Sequence, residues 1–147
     1  MNFDLSQEQQ LFRRTVRDFA VEKFEPVAEE LDREHRFPYE LVSELAELGV
    51  MGMPIPEEYG GAGSDTLSYA IAIEELTRID SSVAITVAAH TSLGTMPIYL
   101  FGNDEQKQEW LPKLASGQGL AAFGLTEPDA GSDAGATRTK AELSDGE

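Results

Sequence analysis

Apolar residues recur every three or four positions through the N-terminal part of the chain, which is the spacing of an amphipathic α-helix. This stripe comprises Leu11, Phe12, Val16, Phe19, Ala20, Phe24, Val27, Ala28 and Leu31. Ser6 and Gln9 precede it and match the capping box that opens many helices. Because Pro26 has no backbone N–H, we expect this helix to kink or break near Glu25.

The positions of proline and glycine in the next part of the chain predict two further helices with a loop between them. The second helix is expected from Tyr39 to Leu48, because Pro38 can open it and Gly49 can end it. Two prolines and four glycines between Met51 and Asp65 predict a loop. A third helix should follow from about Thr66 to Ile79, with the preceding aspartate as its cap.

A more continuously apolar segment begins at Ser81 and predicts a buried fourth helix. We expect Gly94 and Pro97 to interrupt this helix and to leave a short fifth helix over residues 97–101.

A sixth helix is expected to begin at Asp104, and its residues Trp110 and Leu111 are predicted to pack in the core. Of the two histidines, His90 is interpreted as a satisfied core residue, with a role in a pocket as the alternative. His35 lies among charged residues and is expected to be exposed.

The character of the sequence changes after residues 117–119, Gly-Gln-Gly. Leu120–Leu125 is a short apolar run between turn signals and predicts a strand, and Thr137–Leu143 predicts a second one. Because an isolated pair of strands is marginally stable, we expect a larger β domain to follow. The predicted fold is therefore mainly α, with a bundle of about six helices in an N-terminal domain (residues 1–118) and the first strands of an incomplete β domain (residues 119–147).

Composition and charge narrow the function classes. A net charge of −16 disfavours nucleic acids and anionic membranes as partners, and 41% hydrophobic residues are typical of a globular chain. The absence of cysteine excludes thiolate sites, and no histidine and carboxylate cluster has metal-ligand spacing, so we expect no metal. The start of the chain lacks signal-peptide features, and the apolar stretch Val83–Ala89 is far shorter than the ~20 residues of a membrane span. We therefore expect a cytoplasmic protein.

The segment from Phe123 to Ala136 carries the strongest functional signal, because it joins a strand-like lead, a Thr-Glu-Pro break and a Gly-Ser-Asp turn. Such a turn can present backbone N–H groups, and Thr126 and Ser132 add two hydroxyls, so the segment could bind an anion. A turn whose Asp and Ser side chains only satisfy the local backbone is the alternative. Arg138 and Lys140 follow and could meet a phosphate or form weak local ion pairs.

Residues 124–136, Gly-Leu-Thr-Glu-Pro-Asp-Ala-Gly-Ser-Asp-Ala-Gly-Ala, resemble the flavin-binding motif of the acyl-CoA dehydrogenase family at all thirteen positions. Three other segments resemble the same family and occur in the same order. They are residues 56–61 (Pro-Glu-Glu-Tyr-Gly-Gly), 92–98 (Ser-Leu-Gly-Thr-Met-Pro-Ile) and 101–107 (Phe-Gly-Asn-Asp-Glu-Gln-Lys). The predicted order of elements, helices first and strands after them, is also that of the family's N-terminal and middle domains.

The resemblance implies that an FAD-dependent enzyme oxidises an acyl-CoA thioester to the 2,3-enoyl-CoA. In this family a glutamate carboxylate removes the α-proton, the β-hydride passes to flavin N5, and an electron-transfer flavoprotein then accepts the electrons. The resemblance also implies that Phe123, Leu125 and Thr126 line the flavin, with the Thr126 hydroxyl near N5. Ser132 would hydrogen-bond the FAD pyrophosphate region and lie beside the CoA end of the substrate. Homo-oligomers, dimers or tetramers, are usual in the family.

No residue of the chain matches the family's catalytic glutamate, which we expect beyond residue 147. Glu127 belongs to the motif but resembles a structural position rather than the base. The same scaffold also serves acyl-CoA oxidases and flavin monooxygenases, in which oxygen takes the electrons. A helical domain without catalytic activity is the alternative if the chain is complete as given.

Overall fold

The computed structural model describes residues 4–142 and 144, and it confirms a mainly helical fold. The α-helices are α1 (Gln7–Lys23), α2 (Ala28–Glu34), α3 (Tyr39–Glu47), α4 (Thr66–Thr77), α5 (Ser81–Ala88), α6 (Met96–Phe101) and α7 (Asp104–Ala115). A π-helical segment, Ala89–Thr95, joins α5 to α6. Short 3-10 turns lie at Val50–Gly52, Glu57–Tyr59 and Ala134–Ala136.

The N-terminal apolar stripe forms two helices, α1 and α2, which are separated where the proline predicted a break. The Ser6 hydroxyl accepts a hydrogen bond from the Gln9 N–H, and the Gln9 side chain accepts one from the Ser6 N–H. The α-helical backbone stops before Pro26 and resumes after it, because proline offers no N–H to continue the ladder. Phe24 is fully buried at this break, and its ring centroid lies 5.6 Å from that of Phe19.

A buried carboxylate joins α1 to α4. Glu75 is fully buried, and its two oxygens accept hydrogen bonds from Nε of Arg13 at 2.6 Å and Nε of Arg17 at 2.7 Å. Burial alone would raise the pKa of Glu75, but the hydrogen bonds and charges of the two arginines outweigh burial and lower this pKa. The contact between α1 and α4 therefore contains an ionised group, which the two partly exposed arginines neutralise.

The predicted short helix over residues 97–101 is present as α6, but the predicted break before it is wrong, because Ser81–Phe101 is one continuous helical rod. In its π-helical part the Met96 N–H donates to the Thr91 carbonyl, five residues back. Pro97 then falls in the first turn of α6, where a missing N–H is tolerated. The rod therefore stays helical through Gly94 and Pro97 because its hydrogen bonding changes locally from α-helical to π-helical.

By length and composition alone, this rod of 21 residues could cross a membrane, since its mean hydropathy reaches 1.3. The helix that contains the apolar stretch Val83–Ala89 is thus longer than that stretch. One such helix is weak evidence for a membrane protein, because the core helix of a soluble protein passes the same test. Val83, Val87 and His90 of the rod are buried among the other helices, which favours the interpretation as a core helix.

The core lies between α1, α3, α4 and α5, and a smaller apolar cluster lies beside α7. Leu111 is fully buried as predicted, but Trp110 is 47% exposed, so its prediction as a core residue is wrong. Successive helical residues point about 100° apart, and in α7 Leu111 faces the core whereas Trp110 lies on the side open to solvent. The predictions for the histidines are confirmed, because His90 is buried and His35 is exposed.

The two predicted strands are absent from the part of the chain that the structure describes. Leu120–Leu125 has no regular structure, nor has Thr137–Leu143 as far as residue 142, its last residue lying outside the described range. A strand requires ladder hydrogen bonds to a neighbour, and these segments pair with no other described segment. A single isolated bridge between Glu127 and Ala130 is present instead. The boundary at residue 118 and the β domain stay predictions.

Candidate functional site

The predicted site residues lie on the motif segment (residues 118–136), which leaves the helical body (residues 7–115) at the end of α7. Gly117 sets the direction of this exit with a φ of 72°, which is in the left-handed region. A Cβ at Gly117 would also collide with the Cβ of Ala46 on α3. The exit therefore depends on glycine both for its backbone angle and for its close approach to the helical body.

The motif segment is next fixed where it passes the π-helical part of the rod. The Ala121 N–H donates a hydrogen bond to Nδ1 of the buried His90 at 3.0 Å. Burial lowers the pKa of His90, although backbone groups of Leu114 and Met51 act in the opposite direction. The imidazole is therefore neutral near pH 7, and a neutral imidazole has one ring nitrogen free to accept.

A tight turn brings the two hydroxyl residues of the motif to the same end of the segment. The Glu127 N–H donates to the Ala130 carbonyl at 2.8 Å, and the Ala130 N–H donates to the Glu127 carbonyl at 3.2 Å. A Cβ at Gly131 would lie 4.0 Å from Cγ2 of Thr126, so these two residues are neighbours in space. Ser132 follows directly, and the turn therefore places it close to Thr126.

The carboxylate of Glu127 ties the turn to the residues that follow it. One of its oxygens accepts from the Arg138 N–H at 2.8 Å, and the other accepts from the Thr139 N–H at 3.0 Å. Hydrogen bonds from the side chain of Thr139 and from these two backbone groups lower the pKa of Glu127. A carboxylate held ionised with both oxygens engaged is poorly suited to take a proton, so the geometry favours a structural role.

The four predicted binding residues all lie at the surface of the motif segment. They are Phe123, which is 57% exposed, Leu125, Thr126 and Ser132. Within the described residues, no acceptor lies on the backbone N–H groups of these four. A Cβ at Gly124 would meet no atom within 4 Å, so this part of the backbone can be approached closely. Apolar side chains beside open donors suit a flat apolar group with polar edges or a phosphate.

Of the basic residues after the motif, Arg138 lies beside a carboxylate of the turn. Nη1 of Arg138 lies 3.7 Å from Oδ2 of Asp129, and both side chains are exposed. This distance favours a local ion pair, which is weak in water. Among the residues that the structure describes, no group of three or more His, Cys, Asp or Glu could hold a metal ion.

Sequence reasoning missed the partners that hold the motif segment in place. His90 and Ala121 are 31 positions apart, and no spacing rule connects them. A lone histidine in an apolar helix indicates that a polar partner is needed, but it does not identify that partner. The link from Glu127 to the backbone at residues 138 and 139 likewise has no signature in the residue types involved.

Comparison with known proteins adds an independent line of evidence. The family model described as acyl-CoA dehydrogenase, N-terminal domain, matches residues 6–118. A probable acyl-CoA dehydrogenase of Bacillus subtilis is 53% identical over 141 residues, which cover 96% of this chain and 37% of that protein. The chain thus spans little more than a third of the length of this curated relative.

Solved structures agree with the sequence comparison. A chain in a structure described as the electron transferring flavoprotein of Acidaminococcus fermentans superposes with a TM-score of 0.92 and 46% identity, covering 99% of this chain and 38% of that one. An acyl-CoA dehydrogenase complexed with FAD from Bacillus anthracis superposes with a TM-score of 0.85 and 45% identity, covering 91% of this chain and 23% of that one. The chain belongs to the acyl-CoA dehydrogenase family.

Proposed function

We propose that the chain supplies the N-terminal helical domain and the flavin-binding segment of an FAD-dependent acyl-CoA dehydrogenase. The enzyme oxidises an acyl-CoA thioester to the 2,3-enoyl-CoA. The observation that carries this proposal is the motif segment, in which the family's motif presents open N–H groups and two hydroxyls from a turn that is fixed to the helical body. The FAD complex of the Bacillus anthracis relative supports the choice of cofactor.

The residues of the motif segment fit FAD by the chemistry of their donor set. Phe123 and Leu125 offer exposed apolar side chains to the ring system, and Thr126 offers a hydroxyl donor for its polar edge near N5. Ser132 and the open N–H groups of the turn suit the pyrophosphate, and Ser132 would also lie beside the CoA end of the substrate. Bound FAD supplies the acceptor for the hydride that leaves the substrate's β-carbon.

The chain's own residues bind and orient, and none of those described is assigned as the base. Glu127 is the only carboxylate of the motif with a clear role in the turn, and both its oxygens accept backbone hydrogen bonds. In this family a glutamate carboxylate takes the α-proton, and we place that group beyond residue 147. Binding of FAD and removal of the α-proton are therefore assigned to different parts of the enzyme.

The partners follow from the same proposal. The substrate is an acyl-CoA, and the electrons pass to an electron-transfer flavoprotein, which the description of the Acidaminococcus fermentans structure supports. We place the enzyme in the cytoplasm as a homo-oligomer, either a dimer or a tetramer. Analytical ultracentrifugation of the full-length protein that carries this sequence tests the oligomeric state, and a monomer would contradict it.

The test of the function uses that full-length protein with its flavin. Under anaerobic conditions, acyl-CoA thioesters of graded chain length should bleach the oxidised flavin absorbance, and mass spectrometry should find the enoyl-CoA. An electron-transfer flavoprotein should then restore the absorbance faster than air does. Fast reoxidation by air alone would favour an acyl-CoA oxidase, and absence of bound flavin would overturn the proposal.

The test of the binding residues compares two double variants. Thr126→Val with Ser132→Ala removes both hydroxyls of the turn, and we expect FAD to bind at least about tenfold more weakly, since each lost hydrogen bond is worth about 1 kcal/mol. Ser64→Ala with Thr137→Val removes two hydroxyls outside the turn and should leave FAD affinity unchanged. Equal affinities of the two double variants would show that the turn does not bind the cofactor.

A further inference from the structure

The motif segment has a fixed point on the rod just before its continuous exposed run, residues 122–126. That point is the hydrogen bond from the Ala121 N–H to Nδ1 of His90, which are 3.0 Å apart. His90 is 1% exposed, whereas the residues from 122 to 126 are all exposed. The bond therefore joins a rigid, buried side chain to a backbone that has little other support.

Gly94 gives the same point a second constraint. A Cβ on Gly94 would lie 2.6 Å from the carbonyl carbon of Ala121 and would also collide with the Cβ of Ala121. Real Cβ atoms do not approach a backbone carbon so closely, so any side chain at Gly94 would push the motif segment away. His90 and Gly94 lie in the same π-helical segment. Together they fix how closely the backbone at Ala121 approaches the rod and how it is oriented there.

The hydrogen-bond network fixes which nitrogen of His90 carries the proton. Because Nδ1 accepts from Ala121, the proton of the neutral ring lies on Nε2. Nε2 is 3.5 Å from Oγ1 of Thr95, and this hydroxyl donates to the His90 carbonyl at 2.8 Å. A hydroxyl that donates to a carbonyl can still accept a hydrogen bond, so Thr95 is compatible with a protonated Nε2.

We infer that His90 and Gly94 are positioning residues for the cofactor, which fix the backbone at Ala121 so that Phe123, Leu125 and Thr126 meet the flavin. This inference rests on the proposed function of the motif segment. Only Ala122 lies between Ala121 and Phe123, the first flavin-facing residue, so a shift of the backbone at Ala121 is passed on directly to Phe123. The effect of losing the anchor should therefore appear in flavin binding and in the mobility of this segment.

Two amide variants of His90 separate positioning from a general contribution to the core. The Oδ1 of His90→Asn branches from Cγ, as Nδ1 does, and can accept from Ala121. The polar group of His90→Gln lies one atom further out, near the position of Nε2. Both variants are neutral and polar, so the two should have similar unfolding midpoints, and Gln serves as the matched control for Asn.

The experiment measures the FAD dissociation constant of each full-length variant and the hydrogen–deuterium exchange of residues 119–126. We expect His90→Asn to bind FAD within about threefold of the wild type and His90→Gln to bind about tenfold more weakly, with faster exchange at Ala121. Equal affinities and equal exchange in the two variants would overturn the inference.

A further test uses the wild-type protein, so its result does not depend on whether a variant folds. The ¹⁵N chemical shifts of the His90 ring should show a protonated Nε2 and an unprotonated Nδ1, and the opposite tautomer would overturn the inference. Absence of FAD from the wild-type protein would instead overturn the proposed function and with it the flavin role. Exchange at Ala121 would still report the anchor, so the two failures are distinguishable.

Discussion

The helical body and the motif segment are held together by different forces. The body buries large apolar side chains such as Phe24, Leu45 and Leu76, and the buried carboxylate of Glu75 at the α1–α4 contact is neutralised by arginines. The motif segment exposes most of its side chains and is fixed by a few hydrogen bonds, at Ala121, within the turn and from Glu127. Burial thus stabilises the body, whereas directional bonds shape the segment, and variants should separate fold stability from flavin binding.

The largest expected effect is a loss of core packing. Phe24→Ala should lower the free energy of unfolding by about 3–5 kcal/mol, because the fully buried ring leaves a cavity between α1 and α2. Phe123→Ala, whose ring is 57% exposed on the motif segment, should change it by less than about 0.5 kcal/mol. Urea unfolding of the chain, followed by circular dichroism, measures both values. Similar losses for the two phenylalanines would erase the distinction between body and segment.

The buried carboxylate should give the next largest effect. Glu75→Gln leaves Arg13 and Arg17 without their anionic partner and should cost about 2 kcal/mol of unfolding free energy. This is less than the loss for a fully buried pair, because both arginines are partly exposed and can regain water. Glu74→Gln is the matched control, since Glu74 is exposed and lies 3.7 Å from Arg13. An equal cost at both positions, measured by urea unfolding, would contradict this ranking.

The helical body could be predicted from sequence because burial leaves a periodic pattern. The capping box at Ser6, the break at Pro26 and the buried Leu111 all follow from local rules and are present in the structure. Local rules failed where tertiary context decides. Gly94 is a glycine because a distant segment passes over it, not because the helix ends there.

The same limit applies to the motif segment. Its residue types predicted donors and hydroxyls, which lie at the surface as required, but not the anchor that holds them. His90 and Ala121 meet only because the chain after α7 returns across the rod. The predicted strands also failed for this reason, since pairing is a property of two segments and not of one.

The link made by Glu127 should affect the cofactor and not the body. Glu127→Ala removes the acceptors of both the Arg138 and Thr139 N–H groups and should weaken FAD binding about tenfold in the full-length protein. Glu127→Gln retains one carbonyl oxygen and should have an intermediate effect. Unfolding of the helical body should be unchanged in both variants. A normal dissociation constant for Glu127→Ala would show that the turn keeps its shape without this link.

Acidification should destabilise the protein in two pH ranges, the first set by His90 and the second by the carboxylates of Glu75 and Glu127. The pKa of His90 is lowered from its ordinary 6.5 by burial, so the unfolded chain takes up a proton that the folded chain resists. The stability associated with neutral His90 is complete above pH 6.5 and is lost as the pH falls from there towards the lowered value, at no more than about 1.4 kcal/mol per pH unit.

The contributions of two carboxylates are lost on acidification below pH 4.5. The pKa values of Glu75 and Glu127 are lowered from 4.5, so their contributions are complete above pH 4.5 and are lost as the pH falls further. Urea unfolding between pH 7.5 and 5 should therefore show a falling stability in the wild type. His90→Asn, which does not titrate, should remove this slope. An unchanged slope in that variant would assign the acid sensitivity to another group.

The smallest expected effect concerns Arg138, and it decides between two roles left open by the sequence. Its guanidinium lies 3.7 Å from the exposed carboxylate of Asp129, an arrangement that contributes little in water. Arg138→Gln should therefore leave the unfolding midpoint and the FAD dissociation constant unchanged, at both low and high salt. A phosphate contact would behave differently, since losing it would weaken FAD binding at low salt and reduce the salt dependence of that binding. Measuring the dissociation constant at two ionic strengths thus tells whether the motif segment binds phosphate with a charge or with its N–H groups and hydroxyls alone.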